Sequence, residues 1–167
     1  MPARDAEQDI EHVVRCGQRA GAQQVIVVEN GSQDRTADRA RGAGATVITS
    51  LPGKGNAVKA GIRYAERYGH DAVLTSDADL WALDANLLQQ MAELAVVAPV
   101  RGEWSRPGRA GSLLPRLLME CGLDSGGLSP AALLSGLAGY PMPFPLPLAT
   151  LPAGYGWDLA KIGRAHV

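Results

Sequence analysis

From residue 24 to residue 79, apolar β-branched runs alternate with helix-length stretches, and no other feature restricts the fold as much. QVIVVEN (24 to 30) is a continuous apolar run bounded by a turn, the pattern of a buried parallel strand. ATVITS (45 to 50) and DAVLTSD (71 to 77) are the next two strands. Between them lie DRTADRARGAG, which Asp34 opens with a favourable charge, and NAVKAGIRYAERYG (56 to 69), with Val58, Ile62 and Ala65 at helical spacing. Strand, helix, strand, helix, strand implies right-handed crossovers and an α/β fold with a doubly wound, mostly parallel sheet.

The flanks are less regular. Ile10, Val13 and Val14 predict a helix stopped by Gly21, and an α/β chain normally feeds such a helix from a strand. None precedes it here, so the first strand is expected to be missing upstream of Pro2. After Asp79, WALDANLLQQMAELA reads as a helix with Leu83, Leu87, Leu88 and Met91 on one side, and VVAPV (96 to 100) as a strand. RGEWSRPGRAG is a polar loop and SLLPRLLMECG a helix started or interrupted by Pro115. Residues 134 to 160 are rich in Pro and Gly, which leaves little periodicity to read. The last seven residues, KIGRAHV, back-translate to a sequence resembling a widely used short-read sequencing adapter. The domain is therefore expected to span 1–160, with 161–167 an adapter-derived tail and His166 an artefact rather than a metal ligand.

With 167 residues, 46% of them hydrophobic, and a net charge of -1, the chain is bounded to one soluble domain with a sizeable core. Near-neutral charge gives no argument for nucleic acid or an anionic membrane. No run is long and apolar enough to span a bilayer, and there is no basic-then-apolar leader, so the expected compartment is the cytoplasm. Cys16 and Cys121 lack the spacing of a zinc site or a disulfide framework and read as reduced structural residues.

Asp77 and Asp79 stand one residue apart where the third strand ends. Strand alternation points both to the same side, into the crevice where ligands of open α/β sheets bind. Paired hard oxygens suit Mg²⁺ or Mn²⁺, whose shell is completed by water and substrate phosphates. A lone Asp-x-Asp also serves as a polar turn. Gly53-Lys54-Gly55 is not a Walker A loop, Gly42-Ala43-Gly44 lacks the third glycine of a dinucleotide fingerprint, and no Thr or Val follows Asp79 by two residues as in haloacid-dehalogenase phosphatases.

PARDAEQDI, ENGSQDRT, GKGNA and SDADLW, in that order, resemble the nucleotide-sugar glycosyltransferases of the GT-A fold, most closely the glucosyl-3-phosphoglycerate synthases and their family-2-like relatives. The resemblance implies a metal-dependent hexosyltransferase taking a UDP- or GDP-sugar to a hydroxyl acceptor, 3-phosphoglycerate or a related small molecule, lipid or glycan, with a homodimer as one assembly. Pro2 and Ala3 stand in the segment that lines the nucleobase, with Ala6 replacing a polar family residue. Asn30 matches the uridine contact, and is equally a turn former before Gly31. Lys54 matches a nucleotide-contacting lysine, or is a solvated cation. Asp77 and Asp79 match the metal-binding DxD, Asp77 also meeting the nucleotide-sugar. Arg109, in Gly108-Arg109-Ala110-Gly111, resembles the acceptor-binding Gly-Arg-x-Thr, with Gly111 in place of threonine. A solvated loop arginine is the other reading.

Gly154-Tyr155-Gly156-Trp157-Asp158 resembles the stretch closing over sugar and acceptor. Tyr155 is assigned to the acceptor and Asp158, shorter than the family's glutamate, to the catalytic contact, with Trp157 read as core packing. The family's metal-binding histidine would lie beyond Ala160. The synthases retain anomeric configuration and the broader family inverts it, which leaves stereochemistry open. The rival reading is a truncated, non-catalytic nucleotide-binding remnant, since a lost central strand exposes ladder groups on both its neighbours.

Overall fold

A computed structural model of the chain describes residues 1–102, 136–145, 147–150 and 152–153. The first half follows the predicted alternation. β1 (Pro2–Ala3), β2 (Ile26–Glu29) and β3 (Thr46–Thr49) form a parallel sheet, with Pro2 opposite Val28 and Ile26 opposite Thr46. The crossovers are α1 (Ile10–Arg19) and α2 (Thr36–Gly42). In α1 the apolar spacing puts Ile10, Val13 and Val14 wholly inside, each stabilising the fold by about 1.5–3 kcal/mol, while Glu11 and Arg15 pair one turn apart on the wet face. Gly21, at φ 81°, ends the helix as predicted.

The second half departs from a purely parallel sheet. β6 (Leu137–Pro141) runs between β4 (Ala72–Ser76) and β5 (Val100–Arg101), antiparallel to both. β6 arises from the Pro- and Gly-rich region that offers no periodicity. Its middle residue, Gly139, is squeezed between Leu74 and Val100, where any side chain would collide with both. α3 (Lys54–Arg67) packs on β1, β2 and β4, and α4 (Ala85–Ala95) on β4, β5 and β6. Asp84 caps α4 by accepting from the Leu87 amide at 3.0 Å, which sets the phase of the helix. Leu88, Met91 and Ala95 therefore face inward and Leu87 is exposed, contrary to the predicted stripe. The expected strand at 96–100 shrinks to Val100–Arg101, because the Val97 and Ala98 amides still bond back to the Leu94 carbonyl.

A strand does exist at the start of the chain, but it is only two residues long. Below it the two sheets part. Val25 accepts from Thr46 on the β3 side, whereas the Ile26 carbonyl and the Val28 amide meet Met1. On β4, Asp71 and Asp77 bond toward the β6 side, so alternation turns the backbone groups of Ala72, Leu74 and Ser76 toward β2. Between these edges lies an apolar cavity of about 420 Å³ lined by Val13, Ile26, Val58, Ile62, Leu74 and Leu88. The Met1 ammonium, at the mouth of this slot, donates to Ile26 O at 3.0 Å, and burial pushes its pKa from 8.0 down to about 6.

Candidate functional site

The loop after β1 is fastened to the turn after β2 by reciprocal hydrogen bonds. The Asp5 amide donates to Ser32 Oγ and the Gln33 amide to Asp5 Oδ1. The Glu7 amide donates to Asp34 Oδ2 and the Arg35 amide to Glu7 Oε2. At the centre of this zipper the Ala6 amide donates to the buried Thr36 hydroxyl at 2.8 Å. Asp5 adopts φ 50°, a conformation aspartate tolerates better than most residues. The Thr36 hydroxyl, bonded to Asp34 Oδ1, holds that carboxyl below its usual range despite some desolvation. Burial raises the Glu29 carboxyl, but donation from Ser32 and Gly31 outweighs it and leaves Glu29 low.

This double loop forms one wall of a cavity of about 600 Å³ at the carboxyl ends of the strands. Its lining includes Pro2, Ala3, Asn30, Lys54, Asp77 and Asp79, so every nucleotide- and metal-assigned residue of the sequence analysis meets in one place. Arg109, Tyr155 and Asp158 lie outside the described residues. Asn30 is buried, its backbone amide donates to Ala3 O at 3.2 Å, and its side-chain Oδ1 has no hydrogen-bond partner among the described residues. A buried acceptor without a donor costs about 1–3 kcal/mol, which suits a group waiting for a ligand better than a turn former.

Asp77 follows directly on β4 and donates its amide to Gly136 O at 2.9 Å. Gly136, at φ 68°, approaches the Asp77 carboxylate so closely that a side chain there would strike it. Ala78, between the carboxylates, is buried in the α1–α2 core, and this pins the turn that carries exposed Asp79. Lys54 Nζ lies 2.8 Å from Asp77 Oδ1 and 3.1 Å from Oδ2, so a cation already sits on this carboxylate. Among the described residues no three His, Cys, Asp or Glu side chains gather as a metal cage. Two carboxylates on an open cavity, one of them attracting a cation, do fit a hard metal whose remaining ligands are waters and phosphates.

Sequence reasoning missed the Lys54–Asp77 pair, the Gly136 backstop and the zipper of Asp5, Glu7 and Thr36. A faint signal for the zipper existed, since the alternate acids of RDAEQD precede a helix as SQDRT does.

An open α/β fold with paired carboxylates facing a strand-end cleft places a ligand site at the carboxyl ends of the strands. The sequence profile of the Glycosyl transferase family 2 matches residues 1–106, and the chain belongs to that family. No curated protein sequence matches significantly. Among solved structures, the chain is similar to glucosyl-3-phosphoglycerate synthase from Mycobacterium tuberculosis in complex with uridine diphosphate, at 23% identity and TM-score 0.74, over 95% of this chain and 60% of that one. The same enzyme with Mn²⁺, uridine diphosphate and phosphoglyceric acid matches at 24% identity and TM-score 0.74, over 95% and 59%. Its complex with Mn²⁺, uridine-diphosphate-glucose and phosphoglyceric acid matches at 22% and 0.76, over 98% and 64%. At these identities the likeness establishes the GT-A fold, and the chain spans about 60% of the length of those proteins.

Proposed function

We propose that this chain is the nucleotide-sugar-binding part of a metal-dependent glycosyltransferase that moves a sugar from a nucleoside-diphosphate sugar to a hydroxyl acceptor. The observation that carries this reading is the convergence of Asn30, Lys54, Asp77 and Asp79 on one cavity at the strand ends. The solved structures similar to this fold hold Mn²⁺ with uridine-diphosphate-glucose and phosphoglyceric acid, which supports a UDP-sugar donor and a 3-phosphoglycerate-like acceptor.

Each residue has a role set by its chemistry. Pro2 and Ala3 form an apolar floor for the base, and Asn30 Oδ1 accepts from a base N–H. Lys54 supplies a point charge to the phosphates. Asp77 and Asp79 would hold Mg²⁺ or Mn²⁺, which when bound offsets the charge developing on the leaving diphosphate. In the transfer, the acceptor oxygen bonds to the anomeric carbon and gives up its proton as the bond to the diphosphate oxygen breaks and the nucleoside diphosphate leaves. Arg109 and Tyr155 are assigned to the acceptor and Asp158 to the sugar or acceptor, from the sequence resemblance alone. No described helix is long and apolar enough to cross a membrane.

A donor screen with UDP- and GDP-sugars, 3-phosphoglycerate and Mn²⁺ or Mg²⁺ tests this, with Asp79→Ala as control. Metal-dependent product that disappears in the mutant is expected. Undiminished turnover in the mutant would remove Asp79 from the metal site. One observation favours the second reading, a binding remnant without turnover: among the described residues the β1-β2-β3 sheet and the β4-β6-β5 sheet share no strand pairing. Nucleotide binding without transfer to any acceptor is the result that supports it.

A further inference from the structure

Resting on the nucleotide-sugar reading above, we infer that Lys54 is a latch on the metal site. It occupies Asp77 until a nucleoside diphosphate draws its ammonium away, so nucleotide and divalent cation bind cooperatively.

The geometry begins with the ammonium, which straddles both oxygens of Asp77 at 2.8 and 3.1 Å. A divalent cation using the same carboxylate takes an oxygen at about 2.0–2.1 Å and stands close beside that positive charge. Both side chains are mostly shielded, 17% and 30% exposed, so solvent and salt screen the repulsion poorly. Asp77 has no easy retreat, because its amide is tied to Gly136 O and its carboxylate abuts Gly136 Cα. The lysine is the mobile partner, a charge on a flexible four-carbon stem.

Its place in the fold supplies the driving force. Lys54 is the first residue of α3, a helix of 14 residues with no acid in its first turn. A cation at the positive end of a helix is in an unfavourable place and is retained by a nearby anion. Among the described residues of the ligand-free protein, Asp77 is such an anion. A diphosphate in the same cavity offers more negative charge to both the lysine and the helix end. The segment at Pro152–Ala153 holds this helix end in position, since Ala153 O accepts from the Asn56 amide at 2.9 Å and Gly55 leaves it room.

Linkage then requires the diphosphate to raise metal affinity and the metal to raise diphosphate affinity by the same factor. The experiment is a Mn²⁺ titration followed by electron paramagnetic resonance, without nucleotide and with saturating UDP, on the wild-type chain, Lys54→Met and Lys54→Arg. UDP should tighten Mn²⁺ binding to the wild type by about tenfold or more. Lys54→Met should bind Mn²⁺ more tightly than wild type when nucleotide is absent, with a smaller enhancement by UDP, the part that survives being direct ligation by the phosphates. Lys54→Arg keeps the charge and should behave as wild type. If Lys54→Met fails to fold by circular dichroism, Lys54→Gln serves the same comparison. Mn²⁺ affinity of the nucleotide-free variant equal to or below that of the wild type overturns the latch while leaving the glycosyltransferase reading intact. Absence of any Mn²⁺ or UDP binding by the wild type overturns both.

Discussion

The Ala6 amide and the Thr36 hydroxyl, 30 residues apart in sequence, meet at 2.8 Å in the buried centre of the loop zipper. The same hydroxyl donates to Asp34 Oδ1, so one threonine joins the loop after β1 to the turn after β2. Thr36→Val keeps the shape, removes both bonds and should lower stability by about 1–3 kcal/mol in urea unfolding. Thr36→Ser should restore most of it. Because the hydroxyl depresses the Asp34 pKa, its contribution is present above 3.8 and is lost as pH falls through the lowered value. The acid limb of the wild-type stability curve should therefore be steeper than that of Thr36→Val.

Asn30 should show function and stability pulling apart. Its buried Oδ1, without a partner among the described residues, is a cost to the ligand-free fold, so Asn30→Ala should leave the unfolding free energy unchanged or raise it by about 1 kcal/mol. UDP affinity measured by calorimetry should fall about tenfold, the loss of one hydrogen bond to the base. A variant that unfolds readily but keeps its UDP affinity would make Asn30 a structural turn residue.

Gly136 should tolerate no side chain. At φ 68° an alanine costs about 1 kcal/mol in backbone strain alone, and its methyl would push the Asp77 carboxylate away from Lys54. Gly136→Ala is expected to lower the melting temperature and to weaken Mn²⁺ binding in the presence of UDP. Unaltered Mn²⁺ affinity would show that Asp77 reaches the metal without this backstop.

An extended apolar segment placed in the slot between β2 and β4 should stabilise the protein. Four alternating Val and Thr residues joined to Met1 would meet the backbone edges at Ile26, Ala72 and Leu74 and replace the buried ammonium by an amide. The ammonium's folded pKa of about 6 lies below its ordinary 8.0, so the associated stability is full above pH 8 and is lost as pH falls through 6. That shift corresponds to about 2–3 kcal/mol. The extended chain should melt higher and lose this pH dependence between 6 and 8. An extension of Gly and Ser that stabilises equally would show that the slot does not select a strand.

Much of the parallel half was legible because its code is local. Val27 and Val28 are consecutive and both buried, as in a continuous apolar run covered on both faces, and Ile10, Val13 and Val14 recur at helical spacing, so β2 and α1 could be read from neighbours in sequence. The pair Asp77 and Asp79 was legible for the same reason, lying at the end of an apolar run. β6 was not, because Gly139 is small to fit Leu74 and Val100, which are remote in sequence.

The sequence by itself determined the α/β class, the strands β2, β3 and β4 with the helices between them, and the residue types of a metal and nucleotide site. Those features rest on periodicity and on chemistry carried by adjacent residues. Only the tertiary structure decided that β6 enters antiparallel beside β4, that Thr36 locks the loop after β1, and that Lys54 rests on Asp77. Each of these depends on backbone groups and charges that meet across 20 or more residues of chain, where packing rather than local pattern selects the partner.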